Sequence, residues 1–117
     1  MINFHKNIVN TLSAILPTYY ELVLHRGLKT PCISYMQLDN PTTAKGDTLE
    51  YSSIQYQIKV WGDRLEDLQN YSQQIDDALR PLGWIRRSSR ELFDRESTMI
   101  QKIMTYEATA LETFKEE

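Results

Sequence analysis

The sequence predicts an α+β domain: a mainly antiparallel sheet of four to five strands with two helices packed on one face. Three observations carry that prediction. Ile54, Tyr56, Ile58 and Val60 alternate with Ser53, Gln55, Gln57 and Lys59, the period-two pattern of a half-buried strand. Directly after Gly62 the period changes, and Leu65, Leu68, Ile75 and Leu79 follow at spacings of three, seven and four, one apolar stripe along a helix. Closer to the C-terminus, Ile100, Lys102, Met104, Tyr106 and Ala108 alternate with Gln101, Ile103, Thr105 and Glu107, which predicts another strand. A length of 117 residues with 41% apolar residues suits one core, so residues 1–117 are expected to form a single domain.

The elements follow in order. Phe4, Ile8, Leu12 and Ile15 step by four, four and three and predict a first helix over residues 2–16 that stops before Pro17. A first strand is expected from Tyr19 to His25, ended by the turn-like Arg26, Gly27, Leu28 and Lys29. A second begins near Cys32, where Ile33, Tyr35 and Gln37 alternate with Cys32, Ser34, Met36 and Leu38 and the inward face stays open. The run DNPTTAKGDTL over residues 39–49 collects turn formers and threonines and predicts the longest loop, with Thr42, Thr43 and Lys45 as candidate contact residues.

After the third strand, Asp63 stands at an N-cap position with Glu66 three residues later, a capping-box pattern, and Pro81 and Gly83 stop the second helix. A strand is expected from Trp84 to about Leu92, a turn over Asp94 to Ser97, then the last strand and a frayed acidic tail, ETFKEE. Hairpin-like links among strands one to three, and between four and five, imply the largely antiparallel sheet.

Charge and composition exclude several classes. Thirteen Lys and Arg against sixteen Asp and Glu leave a formal charge of −3, which argues against a dedicated nucleic-acid binder and against a polybasic membrane anchor. Eighteen apolar residues never run together, so no membrane-crossing helix is expected. The N-terminal stretch lacks a continuous apolar run followed by a cleavage site and reads as mature protein. The one cysteine, Cys32, cannot form an internal disulfide; it fits a reducing compartment, as a buried strand cysteine in preference to a nucleophile.

Catalytic chemistry finds no support. His5, His25 and Cys32 are the only soft ligand candidates, too few for a structural zinc. Glu66 with Asp67, and Asp76 with Asp77, are adjacent helical residues that point apart, so they read as solvated helix charge and not as an acid–base pair. The glycines at 27, 46, 62 and 83 are isolated and form no phosphate loop, and no serine lies in a nucleophile elbow. Neither catalysis, a metal nor a cofactor is expected.

Binding signals are stronger. Gln55, Gln57, Lys59 and Trp61 share the polar face of the third strand, and Trp61 is either an interface anchor or packed beneath a neighbouring loop. Arg86, Arg87, Arg90 and Arg95 cluster beside Glu91 and Asp94. On a regular strand Arg86 and Arg90 share one face and Arg87 takes the other. Such a strip contacts an acidic neighbour or a nucleic-acid backbone, or serves as a charged edge that discourages aggregation.

The N-terminal amphipathic helix, the threonine-rich loop, the strand IQYQIKVWG, the helix ending IDDAL, the segment PLGWIRR and the final MTYEATA together resemble the tail terminator proteins of long-tailed bacteriophages, also called tail completion or minor tail proteins. The resemblance spans nearly the whole chain and rests on structural patterns without a catalytic motif. It implies an α+β subunit, assembled in the host bacterial cytoplasm and located in the virion tail. Copies would form a hexameric ring that ends tail-tube polymerisation and joins the head. Its partners would be its own copies, the tail tube protein and head–tail connector proteins, with DNA passing the lumen without specific binding and no membrane involved. In such a ring the basic segment 86–95 and the acidic segment 107–117 would supply a head-to-tail contact. Two alternatives stand beside it: a head–tail connector or other minor virion assembly protein, and a small-molecule-binding α+β domain, which would need a pocket of convergent polar groups.

Overall fold

The alternation in residues 50–62 organises the molecule, because the other long strands align on it directly or through one neighbour. The computed structural model describes residues 4–20, 29–38, 42–45, 50–95 and 98–112. In chain order these form α1 (Phe4–Ser13), β1 (Thr18–Tyr20), β2 (Cys32–Gln37), β3 (Thr42–Lys45), β4 (Glu50–Gly62), α2 (Leu65–Leu79), β5 (Ile85–Asp94) and β6 (Met99–Glu112). One sheet runs β1-β2-β4-β6-β5, and β3 pairs with β4 off that path. The α+β class is borne out.

The register shows why one face carries the core. Ile58 lies opposite Met104, Tyr56 opposite Tyr106, and Val60 opposite Ile33 on the other side. All six are buried, so the inward face of β2, left open by its sequence, is that of Ile33 and Tyr35. Ile8 and Leu12 of α1, and Leu68, Ile75 and Leu79 of α2, close over this face with Trp84. Each such side chain contributes about 1.5–3 kcal/mol by leaving water. Aromatic rings link the strands across it: Tyr20 meets Tyr35 edge-on at 5.3 Å, Tyr35 lies 6.3 Å from Tyr56, and Tyr56 meets Trp84 edge-on at 5.6 Å.

Two glycines permit the packing of α2. A Cβ on Gly62 would lie 2.9 Å from Leu68 Cδ2, so glycine there lets the first turn of the helix fold back onto the strand. Gly83 has φ 96° and exits a short 3-10 turn over Arg80–Leu82, which places Trp84 in the core and ends α2 as expected.

The sheet outruns its helices. β4 pairs with β6 from Glu50 to Gly62, 13 residues, roughly 43 Å at the usual rise. α2 has 15 residues, about 22 Å. Leu68 meets Gly62 near one end of that helix and Asp76 meets Tyr106 near the other, so residues 50–53 and 109–112, with β3, continue past it. The molecule measures 52 × 25 × 22 Å, with a radius of gyration of 15.6 Å, against roughly 13 Å for an average domain of this length.

Several expectations need correction. The loop expected over residues 39–49 contains a strand, β3, antiparallel to residues 50–53 of β4. Threonine suits strands, and the long β4 offers an edge that β2 does not occupy. β1 and β2 are parallel, not a hairpin: Thr18 lies opposite Ile33 and Tyr20 opposite Tyr35. A parallel pair requires the intervening chain to return to the start of its neighbour. The N-cap of α2 is Arg64, without a side-chain cap bond, one residue beyond Asp63; Glu66 and Asp67 supply negative charge in the first turn. Leu65 is exposed, so the apolar stripe begins at Leu68. Trp84 precedes β5 as a core residue. The strand end at His25, the turn at Arg26 to Leu28 and the tail beyond Glu112 lie outside the described residues.

Candidate functional site

The helix-free face of the sheet gathers most of the residues with binding potential, because strand alternation sends every second side chain there. The register sets them in rows. Ser34, Lys59, Ile103 and Arg90 form one, Met36, Gln57, Thr105 and Ser88 the next, and Cys32, Trp61, Gln101 and Leu92 a third. Gln55 lies opposite Glu107, and Glu107 opposite Ile85.

Trp61 is tied into this face. Its Nε1–H donates to Ser34 Oγ at 2.9 Å, and Lys59 Nζ lies 5.8 Å from the ring centroid. The indole is half-buried, its one donor is used within the chain, and Ser34 beneath it is fully buried. Cys32 is buried as expected, and burial pushes its thiol up, away from the reactive thiolate.

A β-bulge redistributes the arginines. Arg86 lies opposite Tyr106, but Ser88, not Arg87, lies opposite Thr105. The extra residue reverses the alternation. Arg86 consequently sits on the helix side with Tyr106, while Arg90 sits on the helix-free side with Ile103, contrary to the regular-strand expectation. Arg87 Nε bonds Glu107 Oε1 at 2.7 Å. The basic 86–95 segment is thus already joined to the start of the acidic one within a single chain. Thr42, Thr43 and Lys45 are not part of the cluster; their backbone lies in β3, beside residues 50–53 of β4.

Two groups of residues escaped the sequence reading. Asp76, expected as solvated helix charge, is buried and accepts a hydrogen bond from Tyr106 Oη at 3.0 Å and another from Arg80. Its position eight residues after Leu68, on the inward stripe, was the available signal. The apolar residues of β5, a segment for which a charged edge strand is one of the expectations, are the second: Ile85, Leu92 and Phe93 are 56%, 45% and 61% exposed, and every residue from Ile85 to Phe93 is exposed. Among the described residues no strand pairs with its outer edge. A long, open, partly apolar edge is a site for pairing with another chain.

Among the described residues, no group of three or more His, Cys, Asp or Glu side chains is placed to hold a metal ion, and no helix is long and apolar enough to cross a membrane.

The same fold occurs in a virion particle. A chain from the structure described as "Virion of native gene transfer agent (GTA) particle" superposes with a TM-score of 0.67, covering 90% of this chain and 84% of that one at 13% sequence identity. At that identity the likeness is one of fold. No protein-family model matches the sequence, and no curated protein matches it.

Proposed function

We propose that this protein is a structural component of a virion, and specifically a tail terminator. Its copies form a ring, hexameric as the family resemblance implies, that caps the tail tube, ends its polymerisation and presents the surface that joins the head. The observation that carries the reading is the fold shared with a chain of a gene transfer agent virion over 90% of this sequence. The architecture supports it: the potential for binding lies in a sheet face, a projecting strand arm and an open edge, which serve a subunit that works by assembly and not by catalysis. In this reading the partners are further copies of the chain, the tail tube and the connector proteins of the head, and DNA passes without specific binding, in keeping with the net charge of −3. Assembly takes place in the host bacterial cytoplasm and the finished ring sits in the virion tail.

Purified protein mixed with tail tubes, imaged in negative stain and followed by light scattering, tests the reading. Decorated tube ends of uniform length are expected. Undecorated tubes with continued growth overturn it, and decoration of isolated head connectors alone turns the assignment to a connector.

A further inference from the structure

We propose that the open edge of β5 is the docking site for the outward stripe of α2 on a second copy of this chain. The inference rests on the reading of the protein as an assembly subunit and names the surfaces that join its copies.

β5 is exposed on both faces from Ile85 to Phe93, and its outer edge has no partner strand among the described residues. The bulge makes it basic on both sides at once, since Arg86 projects from the helix side and Arg90 from the helix-free side. α2 presents the complement. Glu66, Asn70, Gln73 and Asp77 step by four, three and four, so they align on one side of the helix, and all four are exposed. Arg64 reaches Glu66 only at 3.7 Å, on the surface, where such a pair is weak. No Lys or Arg occurs from Leu65 to Leu79.

Glu66 and Asp77 are about 16 Å apart along the helix, and Arg86 and Arg90, opposite Tyr106 and Ile103, are about 10 Å apart along the strand, a difference that two long arginine side chains can span. A helix laid along an open edge is one way in which proteins cover it. Gln73 Nε2 donates to Asp77 Oδ1 at 2.9 Å, which leaves the Gln73 amide oxygen and the Asn70 amide as donors and acceptors for the edge of β5 that no strand pairs with among the described residues. Because the two surfaces differ, the contact is head-to-tail and repeats from copy to copy, closing as a ring when the rotation permits.

Charge exchange tests this. One variant carries Arg86→Glu with Arg90→Glu, the other Glu66→Lys with Asp77→Lys; all four side chains are exposed, and because Arg86 lies opposite Tyr106, circular dichroism and urea denaturation of each variant check that the fold is retained. Sedimentation velocity is expected to show wild-type association that weakens with salt, a loss of at least about tenfold in association constant for either variant alone, and recovery in the equimolar mixture. A variant that associates as tightly as wild type, a mixture that stays monomeric, or a wild type that is monomeric at millimolar concentration in low salt overturns the proposal. Amide exchange on the wild type is an independent measurement: protection over residues 85–94 should rise with protein concentration, and concentration-independent exchange there also overturns it. Wild-type protein that caps tail tubes while the mixture fails retires this contact and leaves the terminator reading intact. Protein that associates through these surfaces yet ignores tail tubes does the reverse.

Discussion

The hydroxyl of Tyr106 donates to the carboxylate of Asp76 at 3.0 Å, tying the interior strand β6 to α2 inside the core. Both residues are buried, and Arg80, one turn further along the chain, bonds the other carboxylate oxygen while its own side chain remains largely in solvent. A buried carboxylate is tolerated because both of its oxygens are satisfied, one by a neutral donor and one by a cation that reaches water.

Removing either partner should therefore cost more than the contact itself is worth. Tyr106→Phe is expected to lower stability by about 1–3 kcal/mol, and Asp76→Ala by at least as much, because each leaves a buried polar group unpaired. The double substitution should cost less than the sum of the two. Urea denaturation of all four proteins in a double-mutant cycle measures the difference, and additive losses would show that the hydrogen bond contributes nothing.

The same contact predicts a response to alkali. Burial, then the negative charge of Asp76 and the hydrogen bond to it, raise the Tyr106 pKa above the ordinary value of 10.0. The folded state thus holds this proton more tightly than the unfolded chain, so its stabilisation is complete below about pH 10 and is lost as pH rises towards the folded value. Burial also raises Tyr35 and Tyr56, so Tyr106→Phe should still weaken in alkali, but with a shallower slope. Chemical denaturation of both proteins between neutral and strongly alkaline pH checks this; parallel curves would remove Tyr106 from the titration.

Gly62 and Leu68 should be energetically coupled. An added Cβ at position 62 would meet Leu68 Cδ2 at 2.9 Å, so Gly62→Ala is expected to destabilise by about 1–3 kcal/mol through overpacking. Leu68→Ala alone opens a cavity and costs about 2–5 kcal/mol. Combined, the new methyl occupies part of that cavity, and thermal unfolding should show the double variant more stable than the sum of the single losses implies.

Much of the fold was legible in local pattern. The alternation of Ile54, Tyr56, Ile58 and Val60 marked an inward face that is buried or half-buried throughout, and Pro81 with Gly83 marked the end of α2. The candidate site was legible only in part. Gln55, Gln57, Lys59 and Trp61 do share the helix-free face, but nothing in their order showed that the Trp61 indole bonds Ser34, which lies 27 positions away in sequence. The arginine strip was misassigned because one residue of bulge, invisible to a period-two count, reverses every face before it relative to every face after it.

By itself, the sequence determined the quantities that repeat along the chain: the α+β class, the inward alternation of β4, and the inward positions of Ile8, Leu12, Leu68, Ile75 and Leu79 on the two helices. Helical and strand periods are local, set by backbone geometry over a few residues, so neighbours in sequence suffice to read them. Tertiary structure alone decided that β1 runs parallel to β2, that β3 extends the sheet, that Asp76 is buried against Tyr106, and that, among the described residues, no strand pairs with the outer edge of β5. Those outcomes depend on which distant strands meet and in what register, a matter of competing long-range packing and hydrogen bonding that no local spacing encodes.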